Sequence, residues 1–436
     1  MTRRVAQRLA SPTTSEAYFD QVSRRMEAES TLQSVRWVEA LAHGHDAFRR
    51  TACLNLDPND STLSRRCRSL LRTELGALGD GGAGAGREPR GCYNEFVEEL
   101  EATLVAFARR LFGAEHVEWR ATGVEAARTA LLSALAQPHE VVITLDGGSP
   151  DAIGPGHPRT LTVAPTGDFR PDLARLAEVA RRVRPRAIVV GGAHVLTPLP
   201  MTELRRIADR SGACLVYNAD QLGLLISAGA FQRPLEEGAD AMIVSTHGAM
   251  GGPVGALVLT DDADIAHRLA HAVASGAAPL QDANTYAALA VALAETQTYG
   301  SELARRMVRN AWALAEACEA EGLKPLAASR ASSATHQIFL NAPGRADELE
   351  ARCDVANIRL NACALPGDAA TGRRSGLRLG VHELTRRGMG EFEMVEVARI
   401  LAAAMLDADD ADGQISAVAD LLAPFPTLPF SFDAAQ

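Results

Sequence analysis

An α/β fold with a largely parallel central sheet is what this sequence predicts, and three observations carry it. Short apolar runs recur at 141–145, 187–191, 214–217, 241–244 and 256–259; they are continuous rather than alternating, as in strands covered on both faces. A stretch with helical periodicity, 201–211, separates two of these runs, and strand, helix and strand in succession imply parallel pairing with right-handed crossovers. The 436 residues suffice for a large core and for two or three domains.

In chain order, Ser15-Glu16 opens an amphipathic helix to Ala28, and a second helical stretch covers 35–48, so the first ~50 residues form an arm. Leu54-Asn-Leu-Asp-Pro-Asn-Asp-Ser-Thr-Leu-Ser64 leads into the body. Residues 79–90, GDGGAGAGREPR, are a glycine-rich loop that fits neither a Walker nor a GxGxxG phosphate cradle. Phe96, Leu100, Leu104, Phe107 and Leu111 have helical spacing and are expected in the core. Thr122-Gly123 opens the next helix, either as an anion site at its N-terminus or with Thr122 as a plain N-cap. Two more helices are expected at 282–294 and 303–321. Beyond about Asp407 the chain is acidic and then carries Pro and Phe, which suggests a helix plus a tail.

Composition narrows the function. A net charge of −10 and a pI near 5.6 argue against a nucleic-acid surface. No apolar run approaches the ~20 residues of a membrane span, and Met1-Thr-Arg-Arg4 lacks the apolar core of a signal peptide, so a cytoplasmic protein is expected. Seven scattered cysteines show no metal-ligand spacing and suit small buried hydrophobes, so no metal is expected. There is one lysine in the chain, Lys324, beside 43 arginines by difference (44 − 1). Arginine stays protonated and cannot act as an amine nucleophile. Lys324 follows a helix-ending glycine and is expected at the surface.

The stretch 241–260, AMIVSTHGAMGGPVGALVLT, resembles the cofactor-lysine segment of serine hydroxymethyltransferase and its relatives, which run Thr-Thr-His-Lys and then Gly-Pro-x-Gly-Gly. Here Ser245-Thr246-His247 is followed by Gly248 where the lysine should stand, and Gly252-Pro253-Val254-Gly255-Ala256 matches the loop. Gly91-Cys-Tyr-Asn-Glu-Phe-Val and Leu111-Phe-Gly-Ala-Glu115 are similar to family segments. So is Ser375-Gly-Leu-Arg-Leu-Gly-Val-His-Glu-Leu-Thr-Arg-Arg-Gly-Met389. The Asn-Leu-Asp-Pro and Glu-Leu-Thr-Arg-Arg-Gly-Met runs lean toward the threonine transaldolase branch.

The resemblance implies a fold-type I transferase using pyridoxal 5'-phosphate (PLP), with a seven-stranded large domain and a small α+β domain. The divisions it suggests are an N-terminal helical arm (1–55), a large domain (56–300), a small domain (301–410) and a C-terminal tail (411–436). It places Thr122 and Gly123 at the cofactor phosphate, Ser149 at the position of the histidine that stacks on the ring, Asn218 at that of the ring-nitrogen aspartate, and Gln221 at that of a histidine. Ser245 and Gly252 fall in the cofactor segment, and Arg378 on the arginine that grips the substrate carboxylate, unless it is tied up in an internal ion pair. Pro58 or Asn59 falls near the family's acid–base glutamate, with Asp57 or Asp60 as possible substitutes. Asp220 is a candidate replacement for the ring aspartate if it shares a strand face with Asn218. The glycine-rich loop lacks the family's tyrosines; Tyr93 comes only after it.

With lysine, aspartate, stacking histidine and loop tyrosines all missing, the expectation is a degenerate homologue with no covalent cofactor. It would pair with an active PLP-dependent paralogue as a heterodimer or heterotetramer, or form a homodimer. The alternative is an enzyme of altered aldol chemistry that holds PLP, or a preformed amino-acid aldimine, noncovalently, with His247 as base. A third reading is a sensor that binds a carboxylate or phosphate through Arg378 and Thr122-Gly123.

Overall fold

The computed structural model describes residues 14–77, 95–145, 157–167, 169–276, 282–326, 333–368, 372–407 and 410–435. Ser149, Tyr93 and the whole glycine-rich loop (79–90) lie outside them. The arm is two helices, α1 (Thr14–Ala28) and α2 (Thr31–Thr51). Ser30 starts α2 with a reciprocal capping box, its hydroxyl accepting from the Gln33 backbone while the Gln33 side chain accepts from the Ser30 N–H. Phe19, Leu32, Val38 and Leu41 of these helices are exposed. The chain then enters β1 (Leu54–Asn55) and α3 (Arg65–Leu70).

Next come α4 (Glu95–Phe112), β2 (His116–Glu118), α5 (Val124–Leu135), β3 (Val141–Thr144), β4 (Arg159–Thr162), α6 (Leu173–Val183), β5 (Ala187–Gly191), α7 (Met201–Ser211), β6 (Cys214–Asn218), α8 (Gly223–Ser227), β7 (Ala241–Ser245), β8 (Ala256–Thr260) and α9 (Ala263–Ala274). The seven strands form one sheet in the order β2-β8-β7-β6-β5-β3-β4. Only β8 runs against its neighbours; the other pairings are parallel. The apolar runs read from the sequence are these strands. They are continuous because helices cover both faces: α5 and α9 close one side around Leu131, Val258 and Leu269, while α4, α6 and α7 close the other.

The remainder is α10 (Ala283–Ala320), β9 (Gln337–Asn341), α11 (Ala346–Val355), β10 (Ile358–Arg359), β11 (Asn361–Cys363), β12 (Gly376–Gly380), α12 (His382–Arg386), α13 (Glu391–Leu406) and α14 (Ala411–Leu422). A three-stranded antiparallel sheet, β11-β12-β9, forms the smaller layer, and β1 pairs in parallel with β10. No helix among the described residues is long and apolar enough to cross a membrane.

Two expectations are corrected here. The two helices expected at 282–294 and 303–321 are one, α10, packed on α4 and on α13. Phe96 is 74% exposed, because the buried face of α4 is Val97, Glu101, Leu104 and Ala108, one position round. Beyond Asp407 the expected helix is α14, and the segment after it is tied down: Ser431 is buried, and the Phe432 N–H donates to Glu295 Oε1 at 3.4 Å. Five of the six described cysteines are buried and Cys214 is half-buried, as expected of small hydrophobes. Lys324 is exposed, as its sequence context predicts, and its carbonyl accepts from the Asn341 N–H at the outer end of β9.

Candidate functional site

Parallel strands aim their C-terminal ends at one edge of a sheet, where α/β proteins place their sites. β6 ends in Asn218 and β7 in Ser245, neighbours in the sheet through Asn218↔Ile243. Asn218 is buried and its Oδ1 accepts the Asp220 N–H at 3.1 Å, so the carbonyl oxygen is spent on the turn that follows β6. Asp220 lies in that turn. The strand-face argument that would have put it beside Asn218 therefore does not apply. Its carboxylate instead faces across the site, where its field acts on both His247 and Arg378.

Ser245 Oγ and His247 Nδ1 are 2.8 Å apart, while the His247 N–H points to the same Oγ at 3.4 Å. This arrangement fits a hydroxyl that donates to Nδ1 and leaves the proton on Nε2. Burial lowers the His247 pKa, with Asp220 and Asp60 opposing it, so the ring is neutral near pH 7 and able to accept a proton.

Gly248 follows with φ +59°, in the left-handed region. A Cβ there would lie 2.8 Å from the Pro58 carbonyl oxygen, closer than side chains come. The loop then turns on itself: Thr246 Oγ1 donates to the Pro253 carbonyl (2.7 Å), and the Gly252 N–H to the Thr246 carbonyl (2.9 Å). Arg386 locks it from outside. Its Nη1 donates to the Gly251 carbonyl (2.9 Å) and its Nη2 to Glu295 of α10 (2.9 Å), both side chains buried. Glycine at 251 is required by this close approach, since a Cβ would overlap the guanidinium.

The other wall is β12 and the 57–60 loop. Arg378 is 4% exposed. Its Nη2 donates to Asn59 Oδ1 (2.8 Å) and its Nη1 to the Ala193 carbonyl (3.4 Å), while Nε has no partner among the described residues. Asn59 Oδ1 also accepts from Gln221 Nε2 (3.3 Å), so one amide joins the two halves of the site. The internal ion pair weighed for Arg378 is not formed with any described residue. Burial works against its charge, and Asp220 and Asp57 support it from a distance. Asp57 is occupied otherwise, accepting the Asn59 N–H at 3.0 Å and facing Arg359 at 3.7 Å.

Beside Arg378, three rings close the wall. Phe339 is its cross-strand partner, with Phe169 4.8 Å and His194 5.5 Å away between centroids. Burial, aided by Arg378, lowers His194 to about 4. Behind Pro58, His336 and His382 meet edge to face at 5.6 Å. His382 Nε2 donates to the Asp60 carbonyl (2.6 Å), and both rings are depressed by burial.

The structure thus brings together Asn218, Gln221, Ser245, His247, Gly248, Gly252 and Arg378. Thr122 and Gly123 begin α5 and make no side-chain hydrogen bond to this network among the described residues. Gly123 is the N-cap and no side chain caps the helix, so Thr122 is not the plain N-cap the sequence allowed. The sequence reading missed the Asn59 bridge, His194, the His336–His382 pair and the Arg386–Glu295 lock. His382 and Arg386 stood in the same run as Arg378, which was the available signal.

The residues do not fit PLP held as a covalent adduct. Gly248, where the sequence resemblance places the lysine, has neither an amine nor space for a Cβ, Asn218, where it places the ring aspartate, is an amide whose oxygen is already bonded, and Lys324 is exposed.

Residues 81–401 match the family model for serine hydroxymethyltransferase. A serine hydroxymethyltransferase of Methanopyrus kandleri is 34% identical over 85% of this chain and 88% of its own length. An α-methylserine aldolase of a Ralstonia species is 30% identical over 95% and 97%. Among solved structures, L-threonine transaldolase of Pseudomonas fluorescens in its internal aldimine state superposes with a TM-score of 0.83 over 96% of this chain and 97% of that one, at 24% identity; this likeness speaks to the fold.

Proposed function

Because the chain belongs to the serine hydroxymethyltransferase family, with the fold-type I architecture of PLP-dependent transferases, we propose that it is a degenerate member. In this reading it retains the carboxylate-binding arginine of an amino-acid site and has lost the covalent coenzyme. It acts as a non-catalytic subunit that pairs with an active PLP-dependent paralogue of aldolase or transaldolase type.

The observation that carries the reading is Gly248. Its left-handed φ and the Pro58 carbonyl 2.8 Å from any Cβ leave no place for a tethering side chain. Arg378 supports the retained half. A guanidinium so buried, with no Nε partner and no bonded carboxylate among the described residues, is suited to a bidentate anion such as an amino-acid carboxylate. Asn59 and Gln221 supply amide groups alongside it.

The test has two readouts. The chain is purified alone and together with a paralogous active subunit from the same genome, and each preparation is scanned for visible absorbance after addition of PLP with glycine or threonine. A colourless chain that copurifies with a coloured partner and raises its activity supports the proposal. A chain that runs as a homodimer, ignores the paralogue and develops a coenzyme–amino-acid absorbance of its own overturns it in favour of noncovalent PLP chemistry with His247 as base.

A further inference from the structure

We propose that a groove along the exposed β2 edge of the main sheet, floored by Glu101 and Trp119, binds a protonated aliphatic amine. This inference does not depend on the reading of the Arg378 cleft and shares no residue with it. β2 is the outermost strand on its side, paired only with β8. There the helical layers diverge, and a cavity of 590 Å³ opens between α4 and α9, walled by Ala102, Val105, Leu269 and Ala270.

Its floor is polar and unsatisfied. Glu101 is 8% exposed, and its Oε1 is buried without a hydrogen-bond donor among the described residues. The Trp119 Nε1–H is likewise buried without an acceptor among them. The neighbouring charges do not remedy this. Arg120 is taken up by Glu118: its Nε and its backbone N–H donate to Glu118 Oε1 at 2.8 and 2.9 Å, and its Nη2 bonds the second oxygen.

An unmet buried carboxylate costs about 1–3 kcal/mol or more, and such a group in a cavity calls for a donor from outside. Aliphatic walls around a carboxylate select an alkylammonium, whose stem packs while its head meets the Glu101 carboxylate. Glu98 joins Glu101 and Glu118 against Arg109 and Arg120 along the lining, which also carries His116 and His267, so negative charge is in excess while both histidines are neutral. The same chemistry is offered by a free amine and by a lysine side chain of a partner.

Calorimetry on the full chain tests this with n-hexylammonium in one arm and an acetylated, amidated lysine tripeptide in the other, with 1-hexanol as the uncharged control. Binding of the first alone identifies a free-amine site; binding of the second identifies a lysine site; either supports the proposal. Desolvation, with Glu118 adding to it against Arg120, raises the Glu101 carboxyl to about 7. Affinity should therefore fall about tenfold from pH 8 to pH 6 as it takes up its proton. E101Q should abolish binding; should that variant not fold, the pH ratio in the native chain decides. Equal binding of 1-hexanol, an affinity flat between pH 6 and 8, or no binding in either arm overturns the proposal.

Discussion

Placing an amine at residue 248 should not create a coenzyme site. In Gly248→Lys the backbone must hold φ near +59° with a Cβ attached, which costs about 1–2 kcal/mol. The Cβ also meets the Pro58 carbonyl at 2.8 Å, and forcing extra atoms into a packed site adds about 1–3 kcal/mol. The sum is about 2–5 kcal/mol, a large part of the 5–15 kcal/mol typical of a folded protein. Gly248→Ala separates the contributions: it carries the backbone cost and the first contact but no long side chain, so about 2 kcal/mol is expected. Urea unfolding of the three proteins measures the losses. Incubation with PLP, reduction with borohydride and peptide mass mapping shows whether residue 248 has been modified. A Gly248→Lys protein as stable as its parent and reductively labelled at position 248 would refute the argument that the site is closed to a tether.

Other consequences are open to measurement. Arg378→Gln should remove the thermal stabilisation that millimolar glycine or threonine gives the native chain, while Lys324→Gln should leave it unchanged; equal responses in both variants would count against the arginine as anchor. Glu295→Gln leaves the buried Arg386 without its counter-charge and should cost about 3–5 kcal/mol in urea unfolding; a loss within error of zero would mean that the lock is ornamental. His194, His336 and His382 are all held below the ordinary histidine value when folded, so on acidification the unfolded chain takes up protons first. Stability is full above about pH 6.5 and falls as pH drops toward the folded values. For His194, folded at about 4, the drop from about 6.5 corresponds to about 3 kcal/mol by pH 4. The acid slope should therefore be shallower in His194→Asn than in the native protein, and identical slopes would remove His194 as a contributor.

Much of the fold was legible because the strands are covered on both faces, which gives each an uninterrupted apolar run. Helix α7 was legible from its period alone. Helix α10 was read as two pieces because Thr296-Gln-Thr-Tyr-Gly300 interrupts the apolar pattern. In the structure Thr296 and Thr298 return their hydroxyls to carbonyls four residues back, and Gly300 is where Leu224 approaches closely. Packing overrode the local signal there. Phe96 was misplaced by one position because a run of four apolar spacings fits two adjacent faces of a helix. In the site, Asn218, Gln221, Gly248 and Arg378 stood at motif positions and were readable one at a time. The joint between them was not: Asn59 meets Arg378 across 319 residues of chain, and no local pattern encodes that pairing.

Helix α10 has a mechanical meaning for the cleft. At 38 residues and a rise of 1.5 Å each it is a rod of about 57 Å, packed on α4, which covers the large sheet, and on α13. A continuous rod resists the bending that a flexible joint between residues 294 and 303 would have allowed, so the two sheets cannot swing apart about that point. The Asp57–Asp60 turn on the other wall is held differently, by hydrogen bonds from the side chains of Arg378, Gln221 and His382, so one wall is fastened by a helix and the other by three side chains.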